Sequence, residues 1–563
     1  QRTFLFLLLL ATLSCAPPPR PVVAPPSPVA HFAPDGRAQR VVLMSFDGLG
    51  ADALAAQQDL PHFAALANEG TSARVVPVTP TATAVAHVAI LTGADPQTNG
   101  IVGNRFHLAG TAPEQVAMGM DIDSDVETIV EAARRQGKRV GSISFPTLDG
   151  STPRRAADFG LVWTRSLTPS RIIHLTRADF HREWVPPTWS ARPQRRTSYS
   201  PIMRSRIEWS VPQRGRVDVD LVAYDTTDDW TANYDTFFIE DGDHEVAPDA
   251  KGWFRIAERL NGALYGSWSK LTAASPALDV TIYWGSIART EAHPESFRQL
   301  IENELGFWPG APDEHLAAEW LAGRDGIDDT TAIEQMDRLA NYLADATLLT
   351  IQRMPFDLLL AYEPAVDEAM HQYLLPRGAR VQRAAFVTSD VIAGRVADAL
   401  DPSRDALVVT GDHGLAAIDT EVHLNALLGN AYPHWRAYGS GNNAHLYRAG
   451  GPDDTAAVVK LLTDSGYFER VETKTPQHHR NAGDIIVYAY PNIALSMSDQ
   501  PPVRVTPDYF GQHGGLNTHR EFHTVLFALG AGVTHKDAGE IQQTWIARYV
   551  SMLLGIEPPK AAQ

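Results

Sequence analysis

Arg40-Val41-Val42-Leu43-Met44-Ser45-Phe46-Asp47-Gly48-Leu49-Gly50 decides the fold. The apolar run over residues 40–46 reads as a strand buried on both faces. It ends in a glycine-containing turn, and a helical pattern follows through Asn68. Strand, turn and helix in that order open a parallel α/β sheet. Asp47 stands at the strand's carboxyl end, the side on which such sheets bind ligands.

Outward from that stretch the alternation continues with a helix near 125–136 and a strand near 139–145, then stops after Pro146. It resumes with a helix over 331–353, a strand over 356–362, a helix over 381–399 and a strand over 405–410. A helix near 454–465, a strand near 522–529 and a helix over 540–554 follow. The expected architecture is a mostly parallel central sheet with helices on both faces, its core built from 39–145 and 331–560. Between the halves, 146–330 carries period-2 runs such as Val217–Tyr224 and Leu278–Trp284, so it reads as a partly β inserted cap overhanging the crevice. Within it, Asp241-Gly242-Asp243-His244-Glu245 matches no EF-hand spacing and reads as an acidic solvated loop.

The 563 residues are 44% hydrophobic and 20% charged, as expected of a globular chain, and the net charge of −18 argues against a nucleic-acid polymer as partner. Residues 1–15 resemble a secretory signal: a basic start, a short apolar run, then small residues. Cys15, the only cysteine, follows that run as the acylated cysteine of a bacterial lipoprotein does, so two fates stand side by side: a lipid anchor through Cys15 or a plainly cleaved signal. Residues 16–38 are a Pro-rich tether. No later run is apolar and long enough to span a membrane. The expectation is an exported protein, periplasmic or lipid-anchored.

The chemistry-bearing residues gather at strand ends and in glycine-rich loops. After Tyr362 comes Glu363-Pro364-Ala365-Val366-Asp367-Glu368-Ala369-Met370-His371, in which Asp367 and His371 share one face if helical. After Thr410 comes Gly411-Asp412-His413-Gly414, and near the C-terminus Phe510-Gly511-Gln512-His513-Gly514-Gly515. In Thr79-Pro80-Thr81-Ala82-Thr83 a helix is expected to start, with Thr83 as its N-cap, where free N–H groups suit a phosphate. Carboxylates and imidazoles in this mixture favour zinc, and two zinc ions about 4 Å apart clamp both oxygens of a phosphoryl transfer.

Asp47-Gly48, Pro80-Thr81-Ala82-Thr83 with His87, Thr92-Gly93, Gly100–Asn104, Asp367 with His371, Asp412-His413-Gly414 and His513-Gly514 resemble, in order and spacing, the alkaline phosphatase superfamily. They are most similar to its nucleotide pyrophosphatase/phosphodiesterase family, over about 39–145 and 331–555. The resemblance implies two zinc ions, one held by Asp47, Asp412, His413 and the Thr83 oxygen, the other by Asp367, His371 and His513. It implies Thr83 as nucleophile of a phosphodiesterase or pyrophosphatase with a phospho-threonine intermediate, and a small phosphate ester as substrate. Asn104 would donate its amide to a non-bridging oxygen, helped by the Thr83–Ala84 backbone N–H.

Three departures shape the expectation. Many members place Phe-Pro-Asn after the nucleophile, where this chain has Ala84-Val85-Ala86, which bears on nucleotide preference. The threonine phosphomonoesterases carry Lys-x-Arg where Phe145-Pro146-Thr147-Leu148-Asp149 stands, with Arg154 or Arg155 as possible substitutes. A sulfatase lacks its Cys or Ser nucleophile here. The alternatives are an alkaline phosphomonoesterase on the same threonine and a non-catalytic metal-binding surface lipoprotein.

Overall fold

The computed structural model describes residues 32–112, 114–182, 197–241 and 244–562. The expected signal, Cys15 and most of the tether lie outside the described residues, as do Gly242 and Asp243. A nine-stranded sheet forms the centre: β1 (Arg40–Phe46), β2 (Thr71–Val76), β3 (Val140–Ile143), β4 (Phe159–Val162), β5 (Glu291–His293), β6 (Leu358–Glu363), β7 (Asp405–Gly411), β8 (Thr524–Gly530) and β9 (Lys536–Gln542). The spatial order is β5-β4-β3-β6-β1-β7-β8-β2-β9, and all but β5 and β8 share one direction. β1 lies between β6 and β7 with Phe46 beside Glu363 on one side and Gly411 on the other. Asp47, the Glu363–Asp367 segment and Asp412 therefore leave the sheet side by side.

The helices that matter for the site are α1 (Thr83–Thr92), α2 (Asp329–Arg353), α3 (Ala365–Tyr373), α4 (Ala379–Asp398) and α5 (Trp545–Leu554). Successive side chains of a strand face opposite ways. Val42, Met44 and Phe46 of β1 pack into a cluster with α2 and α4, while Val41 and Leu43 join one with α1 and α5. Burial on both faces is why the run shows no alternation.

Three expectations change. The helical pattern after Gly50 is two helices, Ala51–Ala55 and Pro61–Glu69, the second opening on Pro61, whose fixed φ suits a first helical position. The helix expected from Glu540 begins at Trp545, because residues 536–542 are recruited as β9 against β2 with Ala538 and Ile541 buried. Cross-strand pairing there outweighs the local helical pattern. Inside 146–330, β4 and β5 join the central sheet, so that stretch also builds one edge of the core.

The rest of 146–330 forms two packed sheets. One comprises strands at 181–182, 203–211, 215–224, 236–241 and 244–246; the other those at 171–175, 253–260, 263–274, 280–284 and 288–289. Trp209, fully buried between them, donates its indole N–H to Ser267 at 2.9 Å. The unit docks on α2, where Glu334 accepts from Lys270 Nζ and Trp253 Nε1, both at 2.7 Å. Arg338 of α2 lies between Trp253 and Trp268, 3.8 and 4.3 Å from the ring centres, a stacked cation–π arrangement. In the Asp-rich loop 225–235, Asp225 and Asp235 close the turn by accepting from Thr227 and Thr226. No helix among the described residues is long and apolar enough to cross a membrane.

Glu363, at the end of β6, is fully buried and accepts from Ser389 Oγ at 2.7 Å and from the Ala365 N–H at 3.0 Å. Burial pushes its carboxyl up to about 7 from 4.5. The folded protein thus keeps a proton that the unfolded chain has released, and stability is full below pH 4.5 and falls as pH rises through about 7. The shift from 4.5 to about 7 corresponds to roughly 3 kcal/mol. Glu363→Gln keeps the same neighbours without the charge. In thermal denaturation it is expected to match the parent near pH 4.5 and to exceed it at pH 8; equal melting at both pH values would contradict this.

Candidate metal centre

The turn after β1 needs glycine. Gly48 has φ +69°, and a Cβ there would come within 2.8 Å of the Asp367 Cα. Its absence lets α3 approach closely enough for the Asp367 N–H to donate to the Asp47 carbonyl at 3.1 Å. Ala82 takes the N-cap position and makes no side-chain cap bond, so Thr83 is the first helical residue rather than the cap expected. Freed from capping, its hydroxyl lies 3.1 Å from His413 Nε2. Thr81 is differently employed. Its hydroxyl donates to the Gly515 carbonyl at 3.3 Å and accepts from the Gly514 N–H at 3.1 Å.

All seven expected ligand residues converge. Asp367 and His371, one turn apart on α3, lie 3.3 Å apart, and His513 Nε2 is 3.9 Å from Asp367 Oδ1. His413 Nε2 is 3.0 Å from Asp412 Oδ2 and 3.6 Å from Asp47 Oδ1, and the His413 and His513 rings stack at 3.7 Å. Ligand atoms of Asp367, His371 and His513 fall within one metal-sized group, as do those of Asp47, Asp367 and His413. Asp367 is therefore common to both groups. Asp47 Oδ1, Asp367 Oδ1 and Asp412 Oδ2 are buried without a hydrogen-bond donor. Buried carboxylate oxygens without donors are costly unless a cation meets them, so these residues fit a divalent ion.

The electrostatics point the same way. Burial, then the charges of Asp412 and Asp367, push Asp47 well above the usual carboxylate range. Against burial, which would raise them, neighbouring imidazoles hold Asp412 and Asp367 low. Burial would lower His371, but the Asp367 carboxylate carries it up to about 10. Burial and His413 bring His513 down to about 3, leaving it neutral, as a ligand must be. His371 Nδ1 donates to the Gly511 carbonyl at 2.9 Å and His513 Nδ1 to the Thr81 carbonyl at 3.1 Å. Both Nε2 atoms are thereby aimed at Asp367, an orientation typical of metal-ligating histidines.

Asn104 is brought up from the loop after α1. The Ala84 N–H, expected to face the substrate, donates instead to Asn104 Oδ1 at 2.9 Å, which fixes the amide. That loop is braced by a four-stranded sheet at 435–440, 443–448, 468–473 and 485–489: His445 Nε2 donates to the Val102 carbonyl at 2.9 Å, and Asn481 Nδ2 to that of Gly100 at 2.8 Å. Burial takes His445 down to about 4, so it braces the loop as a neutral ring. Arg154 and Arg155 do not serve the centre: Arg154 pairs with Glu131 at 3.2 Å, and Arg155 with Asp149 at 3.2 Å.

Two residues of the site take roles that sequence reasoning does not assign. Tyr362, the penultimate residue of β6, donates its hydroxyl to Asp47 Oδ2 at 2.6 Å. His87, fully buried, donates Nδ1–H to the Thr83 carbonyl at 2.8 Å and meets Ser45 Oγ at 2.9 Å through Nε2. His87 reads as part of the motif around Thr83 with no role given; Tyr362 looks like strand. A cavity of about 280 Å³ opens beside Tyr362, lined by Met120, Ser144, Phe145, Leu148 and Trp163 among others.

The family model for type I phosphodiesterases and nucleotide pyrophosphatases matches residues 41–516. The chain belongs to that family. This phosphodiesterase is accordingly a hydrolase acting on phosphodiester or pyrophosphate bonds, of a metalloenzyme type, with the Asp/His groups as its candidate metal-binding residues. Among solved structures it is similar to human ectonucleotide pyrophosphatase/phosphodiesterase 5, with a TM-score of 0.49 and 13% identity over 92% of this chain and 96% of that one. The murine protein gives a TM-score of 0.48 and 14% identity over the same shares of the two chains. An inactive form of the murine protein in complex with AMP gives 0.48 and 13%, again over 92% and 96%. A search of curated proteins finds no match.

Proposed function

We propose that this phosphodiesterase cleaves diesters or phosphoanhydrides through a phospho-threonine at Thr83, with Asp47, Asp412, His413 and Thr83 holding one Zn²⁺ and Asp367, His371 and His513 a second. One observation carries the reading: the Thr83 hydroxyl lies against His413, in a group where one buried oxygen each of Asp47, Asp367 and Asp412 has no donor. When bound, two such cations supply a lowered pKa for hydroxyl and water and neutralise charge on the phosphoryl group. The chain's own residues do the rest. Thr83 Oγ bonds to phosphorus as the bond to the leaving oxygen breaks, and water then cleaves the phospho-threonine. Asn104, its Oδ1 taken by Ala84, turns Nδ2 toward a non-bridging oxygen. Tyr362 and His87 hold Asp47 and the Thr83 carbonyl in place.

The diester preference is supported by the cavity. Where a phosphomonoesterase places Lys-x-Arg, residues 145–149 present Phe145 and Leu148 to a space closed by Trp163 and Tyr362, and Arg154 and Arg155 are engaged with carboxylates. That surface suits an aromatic ester substituent, and the one arginine in its lining, Arg165, is exposed and faces Asp121 at 3.6 Å. Since Ala84 offers no ring for stacking, the cavity aromatics supply the faces available to a base or aryl group. For bis(4-nitrophenyl) phosphate against 4-nitrophenyl phosphate, kcat/KM is expected to favour the diester by at least about tenfold. A monoester preference would turn the reading to a phosphomonoesterase.

A further inference from the structure

Gln543 sits in the turn between β9 and α5, fully buried and far in sequence from every motif of the site. Its Oε1 accepts from the Val78 N–H at 3.2 Å, and its Nε2 donates to the Asp412 carbonyl at 2.6 Å. Its backbone N–H donates to the carbonyl of Val76, the last residue of β2, at 3.0 Å. One side chain thus spans from the loop leading to Thr83 to the strand end carrying Asp412 and His413. The opposite flank of that loop is tied by Thr81 to Gly514, Gly515 and His513. The loop 77–82 is held against His513 on one side and against Asp412 on the other.

The chemistry of the two partners selects glutamine. One is an N–H and the other a carbonyl, so a single uncharged side chain must accept and donate at once, at full reach. Glutamate would offer acceptors only, and methionine, of similar shape, neither. We infer that Gln543 is a positioning residue for the reaction: it fixes the separation between the Thr83 hydroxyl and the Asp412–His413 pair, and with it the fit of the cation these residues share. Reacting groups tolerate little displacement, a shift of about 1 Å costing on the order of 100-fold. The inference rests on the role proposed for Thr83.

Gln543→Met is expected to lower kcat toward bis(4-nitrophenyl) phosphate about 10- to 100-fold with KM within about threefold. The EDTA concentration that strips half of the bound zinc should fall at least about tenfold, a readout independent of turnover. Val550→Ala in the packed core of α5 is the control for plain destabilisation; with a comparable fall in Tm it should keep kcat and zinc retention within about twofold. Where the Met variant does not accumulate, Gln543→Asn, which keeps the amide but shortens its reach, should show the same loss. Unchanged kcat and zinc retention in the Gln543 variants, or equal losses in Val550→Ala, overturn the inference. Thr83→Ala run in parallel separates the two claims. If it is inactive while the Gln543 variants are normal, only Gln543 loses its role; if it turns over normally, the Thr83 reading falls first.

Discussion

Thr83→Ala is expected to reduce diester turnover at least about 1000-fold while bound zinc stays near two per chain and Tm changes by a few degrees at most. The large first effect follows because the hydroxyl nearest in sequence is already engaged. Thr81, the nearest candidate by sequence, spends its hydroxyl on Gly515 and Gly514 and its carbonyl on His513. The small second effect follows from the helix start: Ala82 is the cap and Thr83 caps nothing, so removing its hydroxyl leaves α1 intact. Six other side chains remain to hold the ions. Release of 4-nitrophenolate under saturating substrate, metal analysis and a melting curve on one preparation decide the matter. Activity within about tenfold of the parent would dismiss a threonine nucleophile.

Removing the metal is expected to have an effect as large. Dialysis against a chelator should bring turnover to background, and Zn²⁺ should restore it. His513→Ala should lose about one zinc per chain together with at least about 1000-fold in kcat, since it leaves Asp367 and His371 as the remaining expected ligands of one ion. The stripped protein carries a second signature. Burial and the charges of Asp412 and Asp367 push Asp47 upward, so in the metal-free fold a proton takes over part of the cation's duty. A folded-state pKa raised above the unfolded value means stability present at low pH and lost as pH rises. The gap in Tm between zinc-loaded and stripped protein is therefore expected to widen with rising pH. A gap independent of pH would show that these carboxylates do not oppose one another as placed.

Much of the core was readable because it is written in local patterns. Runs such as residues 40–46 and 405–410 are apolar throughout, and only strands covered on both faces read that way. Their carboxyl ends pointed to Asp47, Asp412 and His413, and the i, i+4 spacing brought Asp367 to His371. What could not be read depends on partners distant in the chain. β9 is a strand because β2 lies beside it, and Thr83 escapes capping because Ala82 takes that position. Tyr362 gives no sign in sequence that its hydroxyl reaches Asp47, and Gln543 belongs to no motif. Strands of the inserted stretch, such as those at 215–224 and 280–284, were visible as alternation, but not their assembly into two sheets or the recruitment of β4 and β5 into the central sheet.

The Arg338 guanidinium caught between two indoles, with Glu334 bonded to Lys270 and Trp253 beside it, has a consequence for how the inserted unit moves. A β unit clamped to a long helix in this way shifts as that helix shifts and does not hinge on its own.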